Sequence, residues 1–176
     1  MRPIFTLHAG EYLVGDYLEK KFKDCRVWLP SKDTGVDLLV TDKEHRNAVS
    51  LQVKFSKDFM KDNFKAIGWW TLQSDKIAKS RADLWVFALY NFNEKTLHNV
   101  IIPPQRLLNI LQELHGQQRL FQTYICVSNN SDRCWETRGL NTGDKHLVAT
   151  DGYENPAREL TQYLDNWEPL QARLST

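Results

Sequence analysis

Apolar and polar residues change period several times along this chain, and each change marks an element. From about Gly10 to Phe22, the residues Leu13, Val14, Tyr17, Leu18 and Phe22 recur at helical spacing, which predicts a helix with one apolar stripe. Cys25 to Leu29 reads as a short strand ended by Pro30. Gly35-Val36-Asp37-Leu38-Leu39-Val40 predicts a second strand with one acid set among apolar residues. After the polar stretch Thr41 to Asn47, the residues Val49, Leu51, Val53 and Phe55 alternate with Ser50, Gln52 and Lys54. A strand has period two, so Gln52 and Lys54 share one face and the apolar set takes the other. The short connection predicts that these two strands are antiparallel neighbours, with Asp37 beside Gln52 and Lys54.

Residues 56 to 71 are polar and lysine-rich around Gly68-Trp69-Trp70, and Thr71 to Ser80 predicts a helix. Asp83 to Tyr90 is a nearly continuous apolar run, suited to a strand covered on both faces. Leu97 to Ile102 is another strand. Pro103-Pro104 opens a helix through about His115, with Gly116 as its stop. Phe121 to Val127 is a late strand. Residues 128 to 154, rich in Asn, Ser, Asp, Gly and Thr, read as a long loop with one short strand around Trp135. Asn155-Pro156 predicts a last helix, Asn as cap and Pro at the first position, with Leu160, Tyr163, Leu164 and Trp167 on its apolar face. The order predicts a mixed α/β domain. Residues 1–137 form its core, and 138–176 add a loop and a C-terminal helix packed on the same domain.

At 176 residues, 41% hydrophobic and 26% charged, the chain has the make-up of one globular domain with a real core. No stretch approaches the roughly 20 apolar residues of a membrane span. Met1-Arg2-Pro3-Ile4-Phe5 lacks the apolar core of a signal peptide. A cytoplasmic protein without a membrane partner is the expectation. Cys25, Cys126 and Cys134 form no C-x-x-C pair and read as reduced, buried thiols. The five histidines are scattered and suggest no ligand set.

A net charge of +1 argues against a uniformly basic nucleic-acid binder. Its distribution says more. Lys54 to Arg81 holds seven basic residues against three acids, whereas Asp132 to the end holds five against eight. Positive charge gathers just after the Gln52–Lys54 segment, where a phosphate backbone would need it. A solvated loop and helix is the bland alternative.

An acid, an amide and an ammonium at the end of a buried hairpin are costly together unless something charged binds there. A divalent metal with a phosphate satisfies all three. Asp37 suits the main metal ligand, Gln52 supplies a neutral oxygen, and the Val53 carbonyl reaches the same ion. Lys54 is the candidate that positions or deprotonates water. Glu11 shares the inward face of the first helix with Val14, Gly15, Leu18 and Phe22. It is a fourth candidate, for a second ion or for water; its alternative role is a first-turn acid favouring the helix dipole. Asp33 is a weaker alternative ligand. Ser56, Lys57, Lys61 and Lys76 are candidate nucleic-acid contacts, with plain surface positions as the alternative. Gln73 and Lys76 face either solvent or the site. Trp69 and Trp70 fill a core or stack on bases. Trp85 and Phe87 are core residues.

Gly-x-Asp on one strand and Gln-x-Lys on the next, after a helix bearing a glutamate, resembles the PD-(D/E)XK nuclease superfamily. Gly35-Val36-Asp37 and Leu51-Gln52-Val53-Lys54 look most like its Mrr-type restriction endonuclease branch, where glutamine commonly replaces the second acid. The resemblance spans about residues 10 to 90. It implies a restriction-endonuclease-like core, a central mixed β-sheet flanked by helices. It also implies Mg²⁺- or Mn²⁺-dependent cleavage of DNA in restriction or defence. By position, Asp37, Gln52 and Lys54 take the metal and catalytic roles and Glu11 that of the helix-borne acid. A homodimer would supply two sites for two strands, and a separate subunit could supply recognition. Two other functions remain open on the residues alone: a non-catalytic nucleic-acid-binding module on the same scaffold, and a structure-selective junction resolvase.

Overall fold

The computed structural model describes residues 8–31, 34–57, 64–91 and 93–175. Along the chain run α1 (Ala9–Lys21), β1 (Cys25–Trp28), β2 (Leu38–Asp42), β3 (Ala48–Lys57) and β4 (Phe64–Gln73). Then come α2 (Ser74–Ala78), β5 (Leu84–Asn91), β6 (Thr96–Ile102), α3 (Pro104–His115), β7 (Leu120–Ser128) and β8 (Cys134–Glu136). The chain closes with α4 (Thr142–Ala149), a 3-10 turn at Thr161–Tyr163 and α5 (Glu168–Leu174).

A five-stranded mixed sheet in the order β1-β2-β3-β5-β6 forms the centre, and a three-stranded antiparallel sheet, β4-β7-β8, lies against it. Only β3 and β5 pair in parallel; the other neighbours in the central sheet are antiparallel. Alternation on β5 divides the interior. Leu84, Val86 and Ala88 join Val14 and Leu18 of α1, Leu51 and Val53 of β3, and Trp167 and Leu170 at the C-terminus. Trp85, Phe87 and Leu89 face the other way, onto Trp70 and Leu72 of β4 and Leu107, Leu108 and Leu111 of α3. This explains why the β5 run is apolar throughout. A third cluster packs α4 on the outer face of the second sheet through Cys126, Trp135 and Val148. Residues beyond 137 thus contribute to all three clusters.

Short-range signals account for several boundaries. Pro104 opens α3 at its first position, and Gly116, at φ +74°, ends it. The three cysteines are buried free thiols. Gly10 lets α1 approach β3, since a Cβ there would overlap Phe55 Cβ. Gly68 does the same for β4, where a Cβ would sit 3.0 Å from Ser56 Cβ.

Four expectations change. The lysine-rich stretch before residue 71 contains strand β4, inserted between β3 and α2. The helix expected over Thr71 to Ser80 is confined to Ser74–Ala78. The loop expected over 128 to 154 holds α4, whose first turn is capped by Asn141 Oδ1 accepting the Asp144 N–H at 2.9 Å. Asn155-Pro156 starts a turn, in which the Arg158 N–H donates to the Asn155 carbonyl at 3.0 Å. The chain then adds to β8: Glu136 and Leu160 N–H groups donate to the carbonyls of Arg158 and Cys134. Helix α5 begins only at Glu168. Edge pairing satisfies the backbone groups of 158–160 and takes precedence over the local helix signal.

Candidate functional site

The hairpin β2–β3 sets the register of the site. Leu38 lies opposite Leu51, and the Asp37 N–H extends the ladder by donating to the Leu51 carbonyl at 2.8 Å. Asp37 therefore stands across from Gln52, on the face away from α1. Its Oδ2 accepts the Val53 N–H at 2.7 Å and a hydrogen bond from the Gln52 amide nitrogen. The carboxylate takes the place of the next β2 carbonyl at the strand end. The contact is charge-assisted, a kind worth about 1.5–3 kcal/mol. Gly35, at φ +83°, turns the chain into this strand beside Gln52 Oε1.

Lys54, two residues on, shares the Gln52 face. Its Nζ lies 5.3 Å from the centroid of the Trp85 ring. Trp85 is buried and donates its Nε1–H to Ser80 Oγ at 2.9 Å, so the indole cannot swing away easily. Such an ammonium–indole contact contributes about 0.5–2 kcal/mol and aims the lysine.

A cleft of about 400 Å³ opens over these residues, between the central sheet and the junction of β4 with α2. Gln52, Lys54 and Trp85 line one side. Thr71, Gln73, Lys76, Lys79 and Arg81 line the other. Among the described residues, four cations border it against one acid, Asp75. Asp37 does not line the cleft; it meets it through Gln52. The basic run in the sequence is thus partly gathered onto one concavity, where field lines focus on an anion.

The structure brings together Asp37, Gln52, Val53 and Lys54, with Gln73 and Lys76 across the cleft. Glu11 sits at the N-terminal end of α1, which packs on the opposite face of the sheet. Its carboxylate accepts the His8 N–H at 3.1 Å and closes the first turn. Because Gly10 seats on Phe55, this helix end adjoins the residue after Lys54. Ser56 is corrected: it is 6% exposed, and its hydroxyl accepts the Trp69 N–H at 3.2 Å, tying β3 to β4. It lacks the exposure that a phosphate contact needs. Asp33, Lys61 and the side chain of Lys57 lie outside the described residues. Trp70 is core, packed edge-on against Phe87, while Trp69 is exposed. Lys79, Arg81, Thr34 and Thr71 line the cleft but carried no individual signal in the sequence. The two cations stood only in a charge count, and no motif marked the two threonines.

Among the described residues, no group of three or more His, Cys, Asp and Glu side chains is placed to hold a metal ion. A divalent ion beside β3 would therefore depend on amide and backbone oxygens next to the Asp37 carboxylate. Those oxygens are at hand. Turning the Gln52 amide by 180° exchanges its nitrogen for its oxygen in front of Asp37. The Val53 N–H points to the Asp37 side of β3, and the carbonyl of a strand residue points the same way as its N–H. One carboxylate and two neutral oxygens form a hard, all-oxygen set, which suits Mg²⁺ or Mn²⁺ and not a thiolate-seeking metal. No family model, no curated protein and no solved structure matches this chain.

Proposed function

We propose that the protein is a metal-dependent endodeoxyribonuclease with a restriction-endonuclease-like core, of the PD-(D/E)XK kind. The observation that carries this reading is the placement of Asp37 beside Gln52 and Lys54 on one face of a hairpin, with Gln52 and Lys54 at the wall of a cleft bordered by Lys76, Lys79 and Arg81. The order of α1 and β1–β3, then α2 and β5, with β3 parallel to β5, supports the same reading. Asp37, the Gln52 amide oxygen and the Val53 carbonyl would hold Mg²⁺ or Mn²⁺. When bound, such an ion supplies Lewis-acid activation of the phosphodiester and lowers the pKa of water. Lys54, steadied by Trp85, orients the attacking water and offsets charge developing on the phosphate. Lys76, Lys79 and Arg81 hold the phosphates on either side, and the buried Trp85 keeps bulk water from beneath the lysine.

Asp37→Ala and Lys54→Ala should each lower nicking of plasmid DNA by at least about a hundredfold, the scale of a lost transition-state contact. Circular dichroism should show the fold retained. Folded variants that cut as fast as wild type would refute the assignment.

One observation favours a second reading. The Gln52 amide donates to Asp37 and so occupies the place a cation would take. On that reading the cleft binds nucleic acid without turnover. Binding would then fall with salt and be indifferent to EDTA, and no metal would induce cleavage.

A further inference from the structure

We propose that the outer face of the three-stranded sheet is a stacking platform for an unpaired DNA strand leading into the cleft. The assignment to DNA rests on the nuclease reading; the platform itself rests on independent geometry.

Alternation on β4 turns Trp70 and Leu72 inward and Trp69, Thr71 and Gln73 outward. Thr71 and Gln73 also line the cleft, so platform and cleft are continuous. Trp69 lies two residues from Thr71, about 7 Å along the strand. Trp69 is 43% exposed, against 7% for Trp70. Its partner in register on β7 is Tyr124, with ring centroids 6.4 Å apart and planes 25° from parallel. The Arg138 guanidinium lies 5.5 Å from the Tyr124 centroid. An indole, a phenol and a guanidinium thus stand in a row on one sheet face.

The remaining outward positions near the cleft are Gln122 and Leu120, opposite Thr71 and Gln73. The β8 acid, Glu136, is buried and paired with Arg158 at 2.6 Å, so it sets no bare negative charge against a phosphate. Helix α4 covers the other end of this face, over Phe64, Cys126 and Trp135. The uncovered end is the aromatic one beside the basic cleft.

An exposed indole backed by a half-buried phenol beside a cationic groove suits single strands, whose bases offer open π-faces; in a duplex those faces are already stacked. The uncovered area therefore takes bases, and the cleft cations take the phosphates that follow.

The test is binding by fluorescence anisotropy in EDTA, where turnover plays no part. The probes are a labelled oligothymidylate of about 15 nucleotides, an abasic chain with the same phosphates, a duplex and an oligouridylate. Trp69→Ala should weaken binding to the oligothymidylate by about tenfold, the scale of one lost stacking contact. It should leave the abasic chain and the duplex unchanged, and Trp69→Phe should retain most of the affinity. Unchanged binding of the oligothymidylate by Trp69→Ala overturns the platform. So does an equal loss on the abasic chain, which would mark a structural effect. Tighter binding of oligouridylate than of oligothymidylate overturns the assignment to DNA. A protein that cuts DNA without this Trp69 dependence keeps the nuclease reading and loses the platform. One that shows the dependence without cutting does the reverse.

Discussion

Lys54 owes its place to two residues that are not themselves polar catalysts. Trp85 lies under its ammonium, and Ser80 pins Trp85. Directly beside this, Asp83 joins the two parallel strands where they begin. Its Oδ2 accepts both the N–H and the hydroxyl of Ser50, at 2.9 and 2.7 Å, and its Oδ1 accepts Arg173 Nη1 at 2.5 Å. Burial alone would push its carboxyl up, but the Ser50 hydrogen bonds and the Arg173 charge outweigh it and hold the pKa below the usual value. An acid with a lowered folded pKa stabilises the fold above its unfolded pKa and loses that contribution as pH falls through the folded one. Asp83 is more than a third exposed, so screening limits the effect to about 0.5–1 kcal/mol. Urea melts should show wild type ahead of Asp83→Asn by that margin at pH 7. The gap should narrow as pH falls through the ordinary carboxylate range and close below the lowered folded pKa, where the carboxylate protonates. A gap that persists unchanged at pH 3 would mean the charge is irrelevant there.

At the scale of elements, alternation was the most legible signal. It placed Gln52 and Lys54 on one face of β3, and the short connection to β2 placed Asp37 beside them, because a hairpin leaves the register little freedom. The opposite wall of the cleft was hidden. Strand β4 carries apolar residues on both faces, with Ile67 and Trp69 outward, and Gly68 interrupts the pattern. Its outward apolar residues are explained only when the second sheet is in view. Helix α4 had a readable start in Asn141 and Asp144 at cap spacing, masked by the polar composition around it. The C-terminal helix was misplaced for a long-range reason. Arg158 and Glu159 pair with Glu136 and Arg133, contacts that no local pattern reveals.

Trp167 shows what the C-terminal segment does instead. It is 2% exposed and packs on Tyr17 and Phe22 of α1, with centroids 5.8 and 6.5 Å away. It caps its own domain and is not available to a second copy. Removal of a buried tryptophan typically costs about 3–5 kcal/mol. Trp167→Ala should lower the urea midpoint accordingly, and a loss under about 1 kcal/mol would show that α1 does not depend on this segment.

Taken whole, the molecule is layered: α1 and α5 on one face of the central sheet, then that sheet, then α2, α3 and the second sheet, with α4 outermost. The cleft opens where the two sheets part, at the site of Gln52 and Lys54. Helix α1 braces the other side of β3, and Gly10 against Phe55 sets how closely. No described helix is long and apolar enough to cross a membrane. The layering leaves a cleft walled by Gln52 and Lys54 and bordered by three further cations, Lys76, Lys79 and Arg81, with the Asp37 carboxylate behind Gln52.

The most direct test is the conversion of supercoiled plasmid to nicked and linear forms by wild-type protein in Mg²⁺, in Mn²⁺ and in EDTA, beside Lys54→Ala. Cleavage that requires a divalent ion and disappears in the variant is the expected result. Cleavage in EDTA, cleavage undiminished in Lys54→Ala, or no cleavage in either metal would contradict a metal-dependent nuclease centred on β3.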